Sequence, residues 1–248
     1  MLFFDGNGKE RGTLNWTERT ERLIGSENAA KLRNARVALL GLGGVGGACA
    51  EALCRAGIGH LLLIDGDAVE DSNRNRQIFA EVSTVGMRKV DAAEKRLHAV
   101  VPEADLTLAD EFLLPENAAF LFDWKPDYIV DAIDTVTAKL FLAKECAARG
   151  IPLAMCLGTG NRLHPELLRI GDLSETAGSG CPLARVMRRE LRKAGIEHLT
   201  VLYSIEEPAK AHFDGENGRH PPGSVSFVPP AAGYFLAGKC VRDLIGAE

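Results

Sequence analysis

Nothing in this chain of 248 residues approaches the roughly 20 consecutive apolar residues that a membrane-spanning helix requires. The opening residues, Met1-Leu2-Phe3-Phe4-Asp5-Gly6, lack a basic stretch followed by an apolar one. Secretion is therefore not expected, and the expected compartment is the cytosol. The six cysteines, Cys49, Cys54, Cys146, Cys156, Cys181 and Cys240, form no C-x-x-C pair, which argues against a structural zinc site. Most lie in apolar context and read as buried reduced thiols. An excess of basic charge is also missing. With 29 Lys and Arg against 34 Asp and Glu the net charge is −5, so any RNA contact needs a local basic patch. No internal repeat is present. The length allows a full core, as one large domain or one domain with an appendage.

What is present is centred on residues 37–65. Val37-Ala38-Leu39-Leu40 reads as a buried parallel strand, and Gly41-Leu42-Gly43-Gly44-Val45-Gly46-Gly47 follows it. A small-residue helix from Ala48 to Ala56 is stopped by Gly57, and Leu61-Leu62-Leu63-Ile64 forms a second strand ending in Asp65. In such a unit Gly41 permits a tight turn, Gly43 lets backbone approach phosphate, and Gly46 lets helix pack on strand. Amides at the helix start face an anion with the helix dipole behind them. Asp65 stands where a carboxylate holds ribose hydroxyls. This is a nucleotide-binding unit, and the glycine pattern leaves the nucleotide open.

Residues 1–16, rich in Gly, Asn and charge, are expected to form a mobile arm. Thr17 to Ala35 reads as a helix with a break at Gly25. The polar run from Gly66 to Gln77 is a loop with short helical turns at the mouth of the sheet. Gly86 to Val100 is an amphipathic helix carrying Lys89, and Asp105 to Ala109 is the third strand. Pro115 to Phe122 is expected as a short helix and Tyr128 to Asp134 as a strand ending in a carboxylate. A helix from Thr135 to Arg149 and a strand from Pro152 to Leu157 follow, then a turn at residues 158–161 and a strand at 167–170. Pro182 to Ala194 is a basic helix, Leu199 to Tyr203 a strand, and residues 206–223 an exposed loop. Ser224 to Val228 is expected as the last strand, with a helix from Ala231 to Ile245. The alternation of β and α elements predicts an α/β fold, a doubly wound, Rossmann-like sheet with helices on both faces and a more irregular, partly antiparallel C-terminal part.

The glycine fingerprint with Asp65 alone would suit NAD. Asn73-Arg74-Asn75-Arg76-Gln77, Lys89 and Asp134 speak for something more highly charged. Two arginines, a lysine and an extra acid suit a triphosphate with a metal ion, because charge moves during adenylyl transfer. The glycine loop, Leu63-Ile64-Asp65-x-Asp67-x-Val69, Asn73 to Gln77, Gly86-x-x-Lys89 and Asp131-Ala132-Ile133-Asp134 together resemble the ubiquitin-activating-enzyme-like, ThiF-type adenylylating superfamily. Within it the chain is most similar to the tRNA threonylcarbamoyladenosine dehydratases. Arg22-Leu23-x-Gly25, the missing C-x-x-C pairs and the tail Ser224 to Pro229 support that placement.

The resemblance implies an adenylylating domain over residues 17–248, with 158–248 as its acceptor-side part. It implies that Gly41, Gly43, Gly44, Gly46 and Asp65 hold the phosphates and ribose of ATP. Asn73, Arg76, Gln77 and Lys89 would contact the triphosphate, and Asp134 would bind Mg²⁺. Arg22 would reach the nucleotide of a neighbouring subunit in a homodimer. The implied acceptor is the threonylcarbamoyl carboxylate on the adenosine beside the tRNA anticodon, activated as an acyl-adenylate and closed into a ring as AMP leaves. The superfamily also leaves room for a sulfur-relay-type protein partner.

Bland readings stand beside these. Lys89 and Arg22 could be ordinary helix-surface residues, Arg74 a solvated charge, and Asp131 a buried supporting group. Cys181, before Pro182 at a helix start, reads either as a helix border or as a thiol placed for a thioester. His212 and His220 read as solvated, and His164 is ambiguous. Arg185, Arg188, Arg189 and Arg192 fall at i, i+3, i+4 and i+7, hence on one helix face. They form either a solvated surface or a ridge for the anticodon arm of tRNA. The rival functions are an activator of a ubiquitin-like sulfur-carrier protein, a non-catalytic binding partner and an NAD-dependent oxidoreductase. The last has no use for Arg76, Lys89 and Asp134 together.

Overall fold

The computed structural model describes residues 3–4, 10–11, 16–210 and 222–247. Of the expected N-terminal arm, only two short strands are described before Trp16, β1 (Phe3–Phe4) and β2 (Glu10–Arg11), paired antiparallel. The rest of the arm, and His212 and His220, lie outside the described residues.

The stretch expected to be helical with a break at Gly25 forms two short helices, α1 (Glu18–Ile24) and α2 (Ser26–Asn34), and the break falls at Gly25 with φ +82°. A seven-stranded sheet follows. Its strands are β3 (Arg36–Leu40), β4 (His60–Ile64), β5 (Asp105–Ala109), β6 (Tyr128–Asp131), β7 (Leu153–Cys156), β8 (Leu168–Asp172) and β9 (Thr200–Ser204). They lie in the order β5-β4-β3-β6-β7-β9-β8, all parallel except the β8–β9 pair.

Alternate residues of each strand enter opposite cores. Val37 and Leu39 join Leu61, Leu63 and Val130 under α3 (Gly44–Ala56), α4 (Lys89–Val100) and α8 (Val228–Ile245). Ala38 and Leu40 join Leu62, Ile64 and Ile129 under α5 (Ala119–Asp123), α6 (Val136–Arg149) and α7 (Pro182–Lys193). Burial on both faces is why these strands read as continuous apolar runs rather than as alternating ones. No helix among the described residues is long and apolar enough to cross a membrane.

Several boundaries differ from expectation, each for a local reason. No strand forms at residues 224–228. Pro229 and Pro230 fit the first turn of a helix, where an N–H is not needed, so α8 starts at Val228. The helix expected from Pro115 shrinks to α5 because Asn117 builds a turn instead. Its side chain accepts from Leu114 N at 2.8 Å and donates to the Phe112 carbonyl at 2.9 Å. α4 begins at Lys89 rather than Gly86, whose φ of +87° belongs to a turn. β6 ends at Asp131, so Asp134 sits on the loop beyond the strand.

Candidate active site

The strand order reverses between β3 and β6, and ligands of doubly wound sheets lie at the carboxyl edge of such a reversal. A cavity of about 560 Å³ opens there, between the loops that leave β3, β4 and β6. Gly41 has φ +86°, and a Cβ on it would come within 2.8 Å of the Ala132 carbonyl oxygen. A Cβ on Gly46 would overlap the Gly41 carbonyl, so Gly46 is required by the packing of α3 against the turn. Gly43 differs: a Cβ there would meet nothing of the protein nearer than Gln77 Nε2 at 3.9 Å. Its bareness serves the cavity rather than the fold. α3 starts at Gly44, with no side chain capping its first turn, so its amides and dipole point at the cavity.

Asp65 is buried and its two oxygens are engaged by backbone. Leu42 N donates to one at 2.6 Å and Asp67 N to the other at 2.9 Å, which ties the β4 exit to the glycine loop. Lys89, at the first turn of α4, is also buried. Its Nζ lies 2.6 Å from Asp67 Oδ2 and 3.7 Å from Asp65 Oδ2. Asn73 and Gln77 are buried on the short helical turns after β4, where Asn73 Oδ1 accepts from Glu70 N at 3.1 Å. Arg76 hydrogen-bonds only neutral oxygens, the Ser72 carbonyl at 3.1 Å and Asn75 Oδ1 at 2.8 Å, and has no carboxylate partner among the described residues. Asp134 is exposed, and its side chain has no hydrogen-bond or ion-pair partner among the described residues. Of the ten residues expected to bind nucleotide, all but Gly46 line this cavity.

The other expected residues lie elsewhere. Arg22 is on α1, exposed and paired with Glu18 at 2.5 Å, and does not line the cavity. Arg185, Arg188, Arg189 and Arg192 share one groove of about 400 Å³ with Lys193 on the outer face of α7, while Ala184, Met187 and Leu191 face the core. Two of the four arginines are engaged: Arg188 donates to the Thr176 hydroxyl and Arg189 pairs with Glu190 at 2.6 Å. Cys181 is buried at the start of α7, and all six cysteines are free and buried. Burial pushes the thiols of Cys54, Cys146 and Cys156 up, to about 11, about 12 and about 12. These are inert, structural thiols.

Three parts of the site escaped the sequence reading. Phe112, Leu113 and Leu114 form an apolar wall, and Phe112 packs where a Cβ on Gly66 would stand. An apolar triplet in an otherwise polar loop after the third strand was the available signal. Asp67 is the nearest partner of Lys89. Lys139, wholly buried on α6, reaches Asp131 Oδ2 at 3.0 Å and the Cys156 carbonyl at 2.7 Å. Asp131 in turn accepts from Ile133 N at 3.0 Å, fixing the loop that carries Asp134. Burial pushes the Asp131 carboxyl above its ordinary value, against the pull of Lys139 and the Ile133 amide.

Five carboxylates (Asp65, Asp67, Glu70, Glu111, Asp134) and two cations (Arg76, Lys89) border the cavity. An apolar wall and a cradle of amides suit a nucleotide, and of the five carboxylates Asp65 and Asp67 are already engaged by backbone and Lys89.

A family model described as the ThiF family matches residues 17–201. The chain is 39% identical over 244 residues to the tRNA threonylcarbamoyladenosine dehydratase of Bacillus subtilis (strain 168), covering 94% of this chain and 95% of that protein. It is 37% identical over 180 residues to the Escherichia coli (strain K12) protein of the same name, with 71% and 66% covered. The crystal structure of E. coli tRNA N6-threonylcarbamoyladenosine dehydratase in complex with AMP superposes with a TM-score of 0.86 at 30% identity, over 94% of this chain and 96% of that one. The complex of the same enzyme with ATP gives 0.84 over the same shares. Matched by the family model from the helix preceding the sheet into β9, and by these dehydratases over most or nearly all of its length, the chain belongs to the ThiF family.

Proposed function

We propose that the protein is an ATP-dependent tRNA threonylcarbamoyladenosine dehydratase, acting on its substrate through an acyl-adenylate. The observation that carries this reading is the convergence of an amide cradle, Lys89, Arg76 and Asp134 on one cavity. An NAD site needs the cradle and the ribose acid, and the other three have no role in hydride transfer.

A bare carboxylate is a poor electrophile. Its attack on the α-phosphorus of ATP displaces pyrophosphate and makes the acyl carbon reactive. The carbamoyl group of the same side chain then attacks that carbon, a ring closes and AMP departs. Ring closure within one side chain has a high effective molarity, so no enzyme nucleophile is needed. The buried thiol of Cys181 is consistent with that economy.

In this reading the amides of Gly43 and Gly44 hold the phosphates, Asp65 and Asn73 orient the ribose and its loop, and Phe112 covers the base. Arg76 and Lys89 stabilise the charge that builds as the α-phosphorus is attacked. Lys89 is held toward the cavity by Asp67 at 2.6 Å. Asp134 and the nucleotide phosphates suit Mg²⁺, which usually takes only one or two carboxylates from a protein. When bound, Mg²⁺ neutralises phosphate charge.

Residues 158–248 form the acceptor side, and the groove on α7 holds the anticodon arm by its phosphates without reading bases. Arg22 acts across a homodimer, on the partner's nucleotide. The reaction belongs to the cytosol, where tRNA is found.

The test is to incubate the protein with ATP, Mg²⁺ and tRNA carrying threonylcarbamoyladenosine, then digest the tRNA and weigh its nucleosides. The expected product is lighter by one water, with one AMP formed per product. Unchanged nucleoside mass with wild-type protein would refute the reading.

A further inference from the structure

Arg162 is a buried cation with no carboxylate paired to it among the described residues. Its residue is 3% exposed, and its Nε and Nη1 have no hydrogen-bond partner among the described residues. Among the described residues its guanidinium makes one long hydrogen bond, from Nη2 to the Ser179 carbonyl at 3.4 Å. A guanidinium carries five N–H donors, and burying one without an acceptor is costly. Burial lowers the Arg162 pKa, while Cys181 and Glu206 are the acidic groups that face it. Glu206 does not pair with it. Its carboxylate accepts from the amides of Leu163 at 2.9 Å and His164 at 3.0 Å instead.

The second feature beside Arg162 is the start of α7, a helix of twelve residues. Cys181 occupies the capping position but offers no capping hydrogen bond, and Pro182 contributes no N–H. The first turn therefore has amides without a capping side chain and the positive end of the helix dipole, and it begins directly after Ser179 and Cys181, the residues that Arg162 faces. The chain packs closely there: a Cβ on Gly158 would lie 3.3 Å from Cys181 Sγ.

The place in the fold gives this pair a purpose. Arg162 lies on the loop that leaves β7, and β7 runs parallel to β6 with Met155 abreast of Asp131. The loop that leaves β6, Ala132 to Thr135, lines the nucleotide cavity. Arg162 thus stands on the neighbouring loop at the same edge of the sheet. We infer that Arg162 and the first turn of α7 form a binding site for a carboxylate, the group that the acceptor presents to ATP. The inference rests on the proposed function and names the residue that receives its substrate.

Enclosure favours a small planar anion over a chain phosphodiester. Asn161, in the left-handed region at φ +57°, is gripped from two sides. Ala209 N donates to its carbonyl at 2.8 Å, its own N donates to the Gly223 carbonyl at 2.8 Å, and Gly223 N donates to its Oδ1 at 2.7 Å. Pro222 covers Gly160 beside it.

The experiment uses N-carbamoyl-L-threonine, which carries the acceptor's carboxylate without the RNA, titrated calorimetrically into the full chain holding a non-hydrolysable ATP analogue. Wild-type protein binds it, Arg162→Gln binds it about tenfold more weakly or worse, and Arg162→Lys recovers part of the loss. Affinity for the ATP analogue stays within about twofold throughout, because Arg162 does not line the nucleotide cavity. The melting temperature of Arg162→Gln stays at or above that of wild type, since an unpaired buried charge has been removed. With modified tRNA, the same variant raises KM for tRNA and leaves KM for ATP unchanged. Equal fragment binding by wild type and Arg162→Gln, no binding by either, displacement of the fragment by inorganic phosphate, or a fall in melting temperature would each overturn the site. Arg162-dependent binding of the fragment without turnover of tRNA would refute the dehydratase and retain the carboxylate site. Turnover that is indifferent to Arg162 would do the reverse.

Discussion

Asp131 and Lys139 meet at 3.0 Å with neither side chain exposed to solvent, an ion pair enclosed between β6, β7 and α6. The remaining hydrogen bonds of the pair go to the Cys156 carbonyl and the Ile133 amide, so both charges are satisfied. Removing one partner of such a pair leaves the other buried and unbalanced. Lys139→Met is therefore expected to lower the unfolding free energy by about 3–5 kcal/mol, read from urea denaturation. A loss below about 1 kcal/mol would show that Asp131 is neutral in the folded protein.

The glycine loop separates into fold and function. Gly46→Ala should destabilise the protein severely or prevent folding, because its Cβ has no room beside the Gly41 carbonyl. Gly43→Ala should leave the melting temperature nearly unchanged, since Gly43 has φ −73° and its Cβ would meet only Gln77 Nε2, at an ordinary contact distance of 3.9 Å. That same Cβ would intrude on the phosphates, so ATP affinity should drop by about tenfold or more, a cost of about 1.4 kcal/mol or above. Intact ATP binding in Gly43→Ala would move the phosphates elsewhere.

Much of this division was legible in the sequence. Apolar runs bounded by glycine marked β3 and β4, because a strand covered on both faces leaves no polar alternation to blur it. Asp65 was legible because it follows such a run, whereas the strand expected to end in Asp134 stops at Asp131. Lys139 was not, because on an amphipathic helix it looks like any solvated lysine until β7 folds over it. The turn at Asn117 was missed because Pro115 is a common helix opener, and only the side-chain hydrogen bonds of Asn117 show that a turn wins there. Arg162 gave no signal at all, since its loop carries ordinary turn residues.

Stability should depend on pH through Glu51. Burial alone would raise its carboxyl, yet hydrogen bonds from Arg96 at 3.0 Å and Arg55 at 2.8 Å hold it below the ordinary value. A depressed carboxyl stabilises the folded state above its unfolded pKa of about 4.5 and loses that contribution as pH falls through the lower folded value. Glu51→Gln should thus be less stable than wild type at pH 7, with the gap closing as pH drops below about 4.5. Melting curves across that range check it, and a gap constant with pH would contradict it.

The basic groove on α7 should govern the salt dependence of tRNA binding. Arg188 is tied to Thr176 and Arg189 to Glu190, whereas the exposed side chains of Arg185 and Arg192 have no partner among the described residues. The double variant Arg185→Ala with Arg192→Ala should weaken tRNA binding and reduce the salt slope by roughly 0.7 to 0.9 for each phosphate that is no longer neutralised. ATP affinity should not move. An unaltered slope would make the groove a solvated surface.

The most direct measurement is ATP–pyrophosphate exchange with Mg²⁺ in three arms: tRNA carrying threonylcarbamoyladenosine, a ubiquitin-like carrier protein ending in Gly-Gly, and no acceptor. The account predicts exchange stimulated by the modified tRNA alone, abolished by Lys89→Ala and no longer dependent on Mg²⁺ in the same way in Asp134→Asn. Exchange stimulated by the carrier protein and indifferent to tRNA would contradict it.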